Sequence, residues 1–148
     1  MRVMFRVMLP LAAAVIAALP TRISAQVAAK QVIGNSTATL SPAIRAGDLV
    51  FTSGQLGLSR TVPDSTVQGQ TKLALDNVKG VLESAGTNMA NVVKCTVFLV
   101  DVKDFSGMNQ AYSAAFPKDP PARSTVVVAA LVSAAAKVEV ECVAVMPK

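Results

Sequence analysis

Ten residues near the C-terminus, Lys137–Met146 (KVEVECVAVM), narrow the folds open to this 148-residue chain. Val138, Val140 and Cys142 alternate with Glu139 and Glu141, the two-residue period of a strand whose faces meet different surroundings. Val92–Val100 (VVKCTVFLV) is β-branched and apolar, as a buried strand is. Arg123–Leu131 (RSTVVVAAL) presents apolar residues on both faces. Shorter strand signals lie around Gln31–Ile33 and at Leu49–Thr52 within Asp48–Ser53. Leu73, Ala74, Asn77, Val78, Val81, Leu82 and Ala85 recur at three- and four-residue steps. That spacing predicts an amphipathic helix over about Val67–Ser84. Ser65 and Gln68 suggest a capping box at its start, and Gly86 closes it. A second helix is predicted over Phe105–Phe116, capped by Asp101 or Asp104. Pro117, Pro120 and Pro121 bar its continuation.

The order β, β, α, β, α, β, β predicts an α+β domain, a mixed β-sheet with two helices on one face. Two helices cover one face only. The other holds two carboxylates on its last strand but much apolar surface elsewhere, and it is best buried against further copies of the chain. The chain is therefore expected to be an obligate homo-oligomer.

Residues 1–25 stand apart from this domain. Arg2 and Arg6 precede the apolar run Val7–Leu19, and Pro20–Ala25 ends in small residues. A basic start, a short apolar run and a small-residue exit are the marks of a secretory signal. The run is too short to span a bilayer comfortably, since about 20 residues are needed; an uncleaved anchor is the alternative. The expected layout is a signal peptide over 1–25, a single domain over 26–148, and a periplasmic or secreted location with no membrane association after cleavage. Of the 14 basic residues, Arg2, Arg6 and Arg22 leave with the signal, so the net charge falls from +5 to +2. So small a charge gives no electrostatic case for nucleic-acid binding.

The chain has no histidine and no tryptophan. That excludes histidine triads, histidine proton relays and histidine-type zinc sites. Two cysteines cannot build a disulfide framework or a four-cysteine metal site. Cys95 and Cys142 read as small buried hydrophobes; a disulfide after export requires that their strands adjoin. A nucleophilic cysteine lacks a histidine to activate it. Few polar candidates remain. Arg123 opens an apolar strand after Pro120-Pro121-Ala122, where it either makes a solvent-facing ion pair or forks onto a carboxylate. Glu139 either faces solvent or, if oligomerisation encloses it, accepts a proton or orients water.

Certain residues also carry a resemblance. Ser53-Gly54-Gln55 after a strand, Asp76-Asn77-Val78 in the first helix, Val97-Phe98 with Asp101, and Pro121-Ala122-Arg123-Ser124 followed by Val138-Glu139-Val140-Glu141 resemble the RidA (YjgF/YER057c/UK114) reactive-intermediate deaminases. The likeness runs from about Ala38 to Val145, and its specific part is Pro-Ala-Arg-Ser with the glutamate 16 residues beyond the arginine. It implies a chorismate-mutase-like homotrimer with a central barrel and sites in clefts between subunits. It implies hydrolysis of reactive 2-imino acids, including the 2-aminoacrylate tautomer, to 2-keto acids and ammonia, without metal or organic cofactor. The partners implied are small imino and keto acids and further copies of the chain. By the resemblance Arg123 binds the substrate carboxylate and Glu139 positions water. Ser53, Gly54 and Asn109 line the cleft, and Thr125 acts there mostly through its backbone. Ala43 departs from the pattern, since the family often carries a tyrosine there. That departure, with export, motivates the alternative of a non-catalytic exported trimer that binds small carboxylates.

Overall fold

The computed structural model describes residues 29–59, 61 and 64–148. The expected signal peptide lies outside these residues. Seven strands form one sheet: β1 Gln31–Ile33, β2 Ala43–Ala46, β3 Leu49–Thr52, β4 Gln55–Leu56, β5 Val92–Leu99, β6 Ala122–Val127 and β7 Val138–Val145. The spatial order is β1-β2-β3-β7-β5-β6, with β4 also pairing β7. Among the described residues β5 and β6 alone pair in parallel, joined through helix α2 (Phe105–Ala115), and the other pairings are antiparallel. The sheet is thus mixed, with α1 (Val67–Ser84) and α2 both packed on one face.

The alternation in β7 does what the sequence predicts. Val138, Val140, Cys142 and Ala144 are buried, while Glu139, Glu141, Val143 and Val145 are only half-buried on the other side. Leu82, Val78 and Ala74 of α1 and Met108 and Tyr112 of α2 close the core over them. The opposite face stays open in the single chain. It carries Val32, Phe51 and Val126, each exposed by more than two-fifths, around the strand centre.

Helix α1 keeps the predicted span, but its cap is not Ser65. Thr66 is the cap: its hydroxyl accepts from the Gly69 N–H at 3.1 Å. Asp64 decides between the two hydroxyls, because its Oδ1 accepts from both the Thr66 N–H (2.7 Å) and the Thr66 hydroxyl (2.6 Å). Those bonds hold the Asp64 carboxyl below its usual pKa. At the other end Gly86 has φ +83°. The Thr87 N–H bonds Leu82 O and the Gly86 N–H bonds Glu83 O, each at 3.0 Å, which closes the helix as a Schellman motif. Asp101 caps a 3₁₀ turn, Val102–Asp104, that leads into α2. Helix α2 stops at Ala115 rather than Phe116, which turns to φ −126°, ψ 69°.

One further expectation is corrected, two strands appear that the sequence did not announce, and one open alternative is decided. Strand β6 ends at Val127, four residues short of Leu131, because its partner β5 ends at Leu99. Strands β2 and β4 carry no strong signal of their own, being short and dictated by neighbours. Finally, Cys95 and Cys142 are not separate buried thiols but a disulfide, with S–S 1.99 Å. The register explains it: the two residues are direct partners across β5 and β7, with Cα atoms 4.1 Å apart.

Candidate functional site

Arg123 is the second residue of β6, at the edge of the sheet. Its register partner is Cys95, so its side chain rises on the helix-covered face. There α2 receives it. Phe105, Met108, Asn109 and Tyr112 follow one another at helical spacing and share one side of the helix. The Arg123 Nη2 donates to Asn109 Oδ1 at 2.7 Å, and Nη1 lies 3.9 Å from Met108 Sδ. The guanidinium carbon stands 4.5 Å from the Tyr112 ring centre and 6.0 Å from that of Phe105. Among the described residues no ion pair joins Arg123 to a carboxylate. It lines a cleft of about 690 Å³ with Ser106, Asn109, Tyr112, Pro120 and Pro121.

A half-buried arginine without a counter-ion, and with only part of its five N–H donors engaged, is built to receive an anion. Thr125 lies two residues farther along the same face of β6, its hydroxyl buried without a hydrogen-bond partner. Tyr112 is buried and its hydroxyl is likewise unpartnered. Burial pushes the Tyr112 phenol up to about 12, against the opposing pull of the Arg123 charge, so the ring is neutral beside the cation.

Glu139 belongs to a second group. It pairs with Phe98 of β5 and Leu56 of β4, and so points to the open face. Gly54 packs directly against it: a Cβ at Gly54 would overlap the Glu139 Oε1 and come within 2.8 Å of its Cδ. Only a residue without a side chain leaves the carboxylate where it is. Ser53 precedes Gly54, its hydroxyl donating to Ser41 O at 2.6 Å and its N–H to Pro42 O at 2.9 Å. Those two bonds fix the bend that brings Gly54 onto Glu139.

The sequence-derived residues therefore fall into two half-sites. Arg123, Asn109 and Thr125 stand on the helix side; Ser53, Gly54 and Glu139 stand at the open face. In register, Glu139 is level with Phe98 and Val126, three residues beyond Arg123 and two strands away. With about 4.8 Å between strands and about 3.3 Å per residue, the two Cα atoms are roughly 14 Å apart, with side chains on opposite faces. One chain does not join them. Tyr112 and Phe105 were not singled out from sequence, although an aromatic pair seven residues apart and straddling Asn109 is the pattern that would have drawn attention to them. Among the described residues no cluster of three or more carboxylates or cysteines could hold a metal ion.

The family model described as Endoribonuclease L-PSP matches residues 31–146. The chain belongs to that family, the RidA/YjgF family. Reactive Intermediate Deaminase A of Arabidopsis thaliana chloroplasts is 39% identical over 135 residues, covering 84% of this chain and 70% of that protein. The goat (Capra hircus) 2-iminobutanoate/2-iminopropanoate deaminase is 39% identical over 109 residues, covering 71% of this chain and 78% of its own. Among solved structures, Escherichia coli TdcF with bound serine superposes with a TM-score of 0.72 at 31% identity, covering 79% of this chain and 99% of that one. The RidA-type fold expected from the sequence is thus the fold of the chain, and the family-level activity is that of a RidA-type deaminase.

Proposed function

We propose that this protein hydrolyses reactive 2-imino acids, of the 2-aminoacrylate and 2-iminobutanoate type, to 2-keto acids and ammonia. The observation that carries the reading is Arg123: a guanidinium cradled by α2, free of any carboxylate partner among the described residues, and facing a cleft. Two parallel N–H donors fork onto the substrate carboxylate and place the imine carbon. A protonated imine is already electrophilic, so no nucleophilic side chain is needed. Glu139 takes a proton from water as the oxygen bonds to the imine carbon. The proton returns to nitrogen; the C–N bond then breaks as the carbinol hydroxyl gives its proton back to Glu139 and becomes the keto-acid carbonyl, and the ammonia that leaves is protonated to ammonium. Positioning with one acid–base group is worth about 10²–10⁴-fold from the proton transfer alone.

The two half-sites do not meet within one chain, so the working site takes Arg123 from one subunit and Glu139 from another. A homotrimer closed through the open sheet faces into a central barrel serves both needs. It covers Phe51 and Val126, and it brings unlike halves together across each contact. The N-terminal pattern and the Cys95–Cys142 bridge support a periplasmic or secreted location, where disulfides persist. The domain's charge of +2 and its lack of histidine support small acids rather than RNA as ligands, despite the wording of the family description.

The test supplies imine from an amino-acid oxidase and follows ammonia and keto acid. Wild-type protein accelerates both, and Arg123→Ala lowers kcat/KM by roughly a hundred-fold or more, as loss of charge-assisted hydrogen bonds requires. Full acceleration by Arg123→Ala overturns the mechanism. Carboxylate binding without ammonia release favours the alternative, a non-catalytic trimer. The buried Ala43, which brings no polar group to its strand, is the feature that points that way.

A further inference from the structure

We infer that Tyr112 is a positioning residue: its ring is the platform that fixes the plane in which Arg123 offers its free N–H groups to a ligand carboxylate. The inference rests on the function proposed above and adds a part to it. An arginine side chain carries much rotamer freedom, and a fork works only if both donors lie in the plane of the carboxylate. The bond from Nη2 to Asn109 Oδ1 anchors one corner of the guanidinium. A single hydrogen bond leaves the group free to swing about that corner, and the 3.9 Å contact with Met108 sulfur is too weak to stop it. A ring 4.5 Å from the guanidinium carbon removes that freedom, and attraction between the cation and the π face adds to the hold. Phe105, one helical repeat earlier, reaches 6.0 Å and contributes less.

The platform is itself held. Tyr112 packs on Phe116 with ring centres 4.8 Å apart and is almost fully buried. Its hydroxyl has no hydrogen-bond partner, so the ring is the part of the residue whose contacts the structure accounts for. This separates two substitutions. Tyr112→Phe keeps the ring and removes an unsatisfied hydroxyl; Tyr112→Leu keeps apolar volume and removes the π face.

The chain supplies its own reporter. Tyr112 is the sole tyrosine and there is no tryptophan, so intrinsic emission from the native protein reports this ring. Titration of wild-type protein with 2-oxobutanoate, a stable keto acid, should change that emission saturably, and Arg123→Ala should abolish the change. By calorimetry, Tyr112→Phe should bind 2-oxobutanoate within about two-fold of wild type and Tyr112→Leu about ten-fold more weakly. In the imine assay the Leu variant should raise KM with kcat little altered. Phe105→Leu, at a more exposed position, should weaken binding by about two- to three-fold. The inference is overturned if Tyr112→Leu binds as tightly as wild type, or if Tyr112→Phe loses as much as Tyr112→Leu, which would make the hydroxyl the operative group. Should Tyr112→Leu not fold, the emission titration decides: saturation by the keto acid with unchanged emission removes the platform. Failure of wild-type protein to bind the keto acid at all is a different result, and it removes the functional reading itself.

Discussion

Gly54 shows how little freedom the glutamate half-site has. A methyl group there would stand where the Glu139 carboxylate now lies. Gly54→Ala is therefore expected to lower kcat for imine hydrolysis by about a hundred-fold, the scale of a lost acid–base group, with KM nearly unchanged because Arg123 lies elsewhere. Steady-state kinetics with oxidase-generated imine reads both parameters, and an unchanged kcat would show that Glu139 needs no such placement. On the other side of the sheet, Tyr112 gives a pH prediction. Its folded pKa of about 12 lies above the ordinary value of 10.0. Between those values the folded chain keeps a proton that the unfolded chain has lost. The associated stability is whole below pH 10 and is lost as pH rises through 12. Ultraviolet titration of the single tyrosine should show phenolate forming near pH 12 in native protein, and Tyr112→Phe should remove that share of the alkaline loss of stability. Arg123 and Glu139 draw attention in the sequence because each is a charged residue set in an apolar strand, but the roles proposed for them come from the resemblance. Tyr112 draws none, because an aromatic on a helix face reads as core, and only the register of β6 beneath α2 makes it a neighbour of Arg123.

At the scale of the elements, strong patterns carried through and weak ones did not. Helix α1 matches its predicted span because periodicity and closing glycine agree with one another. Its cap is Thr66 rather than the expected Ser65, because the Asp64 bonds fix the Thr66 hydroxyl at the helix start. Strand β2 is invisible alone: Ala43–Ala46 becomes a strand because β1 and β3 pair with it on either side. The disulfide is the clearest case of information that lies between elements. Cys95 and Cys142 are 47 residues apart in sequence, and no local pattern states that β5 and β7 set them opposite each other. Closing a loop of that length is worth about 4 kcal/mol in the chain-entropy picture. The double variant Cys95→Ala/Cys142→Ala, or wild type with reductant, should lose stability up to that amount in urea unfolding. Equal midpoints with and without the bridge would remove it as a source of stability.

For the molecule as a whole, the sheet acts as a partition. Arg123 and Glu139 lie on its two sides and two strands apart, so no side-chain rotation within one chain brings them together. The excess of apolar surface over two helices pointed to an interface, and the resemblance implied sites in clefts between subunits; the separation of Arg123 from Glu139 across the sheet agrees with both. A site divided between subunits, as proposed above, makes a prediction which oligomeric state alone does not. Arg123→Ala and Glu139→Gln proteins, each strongly impaired alone, should regain activity when they are unfolded together, refolded in equal amounts and allowed to assemble at random. A site then works when its arginine comes from a Glu139→Gln subunit and its glutamate from an Arg123→Ala subunit. Each condition holds half the time, so roughly a quarter of wild-type activity should return in any closed ring whose sites bridge adjacent copies. A site assembled within one chain would return none, because every chain in the mixture lacks one of the two groups. Imine-hydrolysis rates of the mixed assembly beside each parent variant separate these outcomes. A mixture no more active than its parents would place the arginine and the glutamate in the same subunit's site, or outside the chemistry altogether.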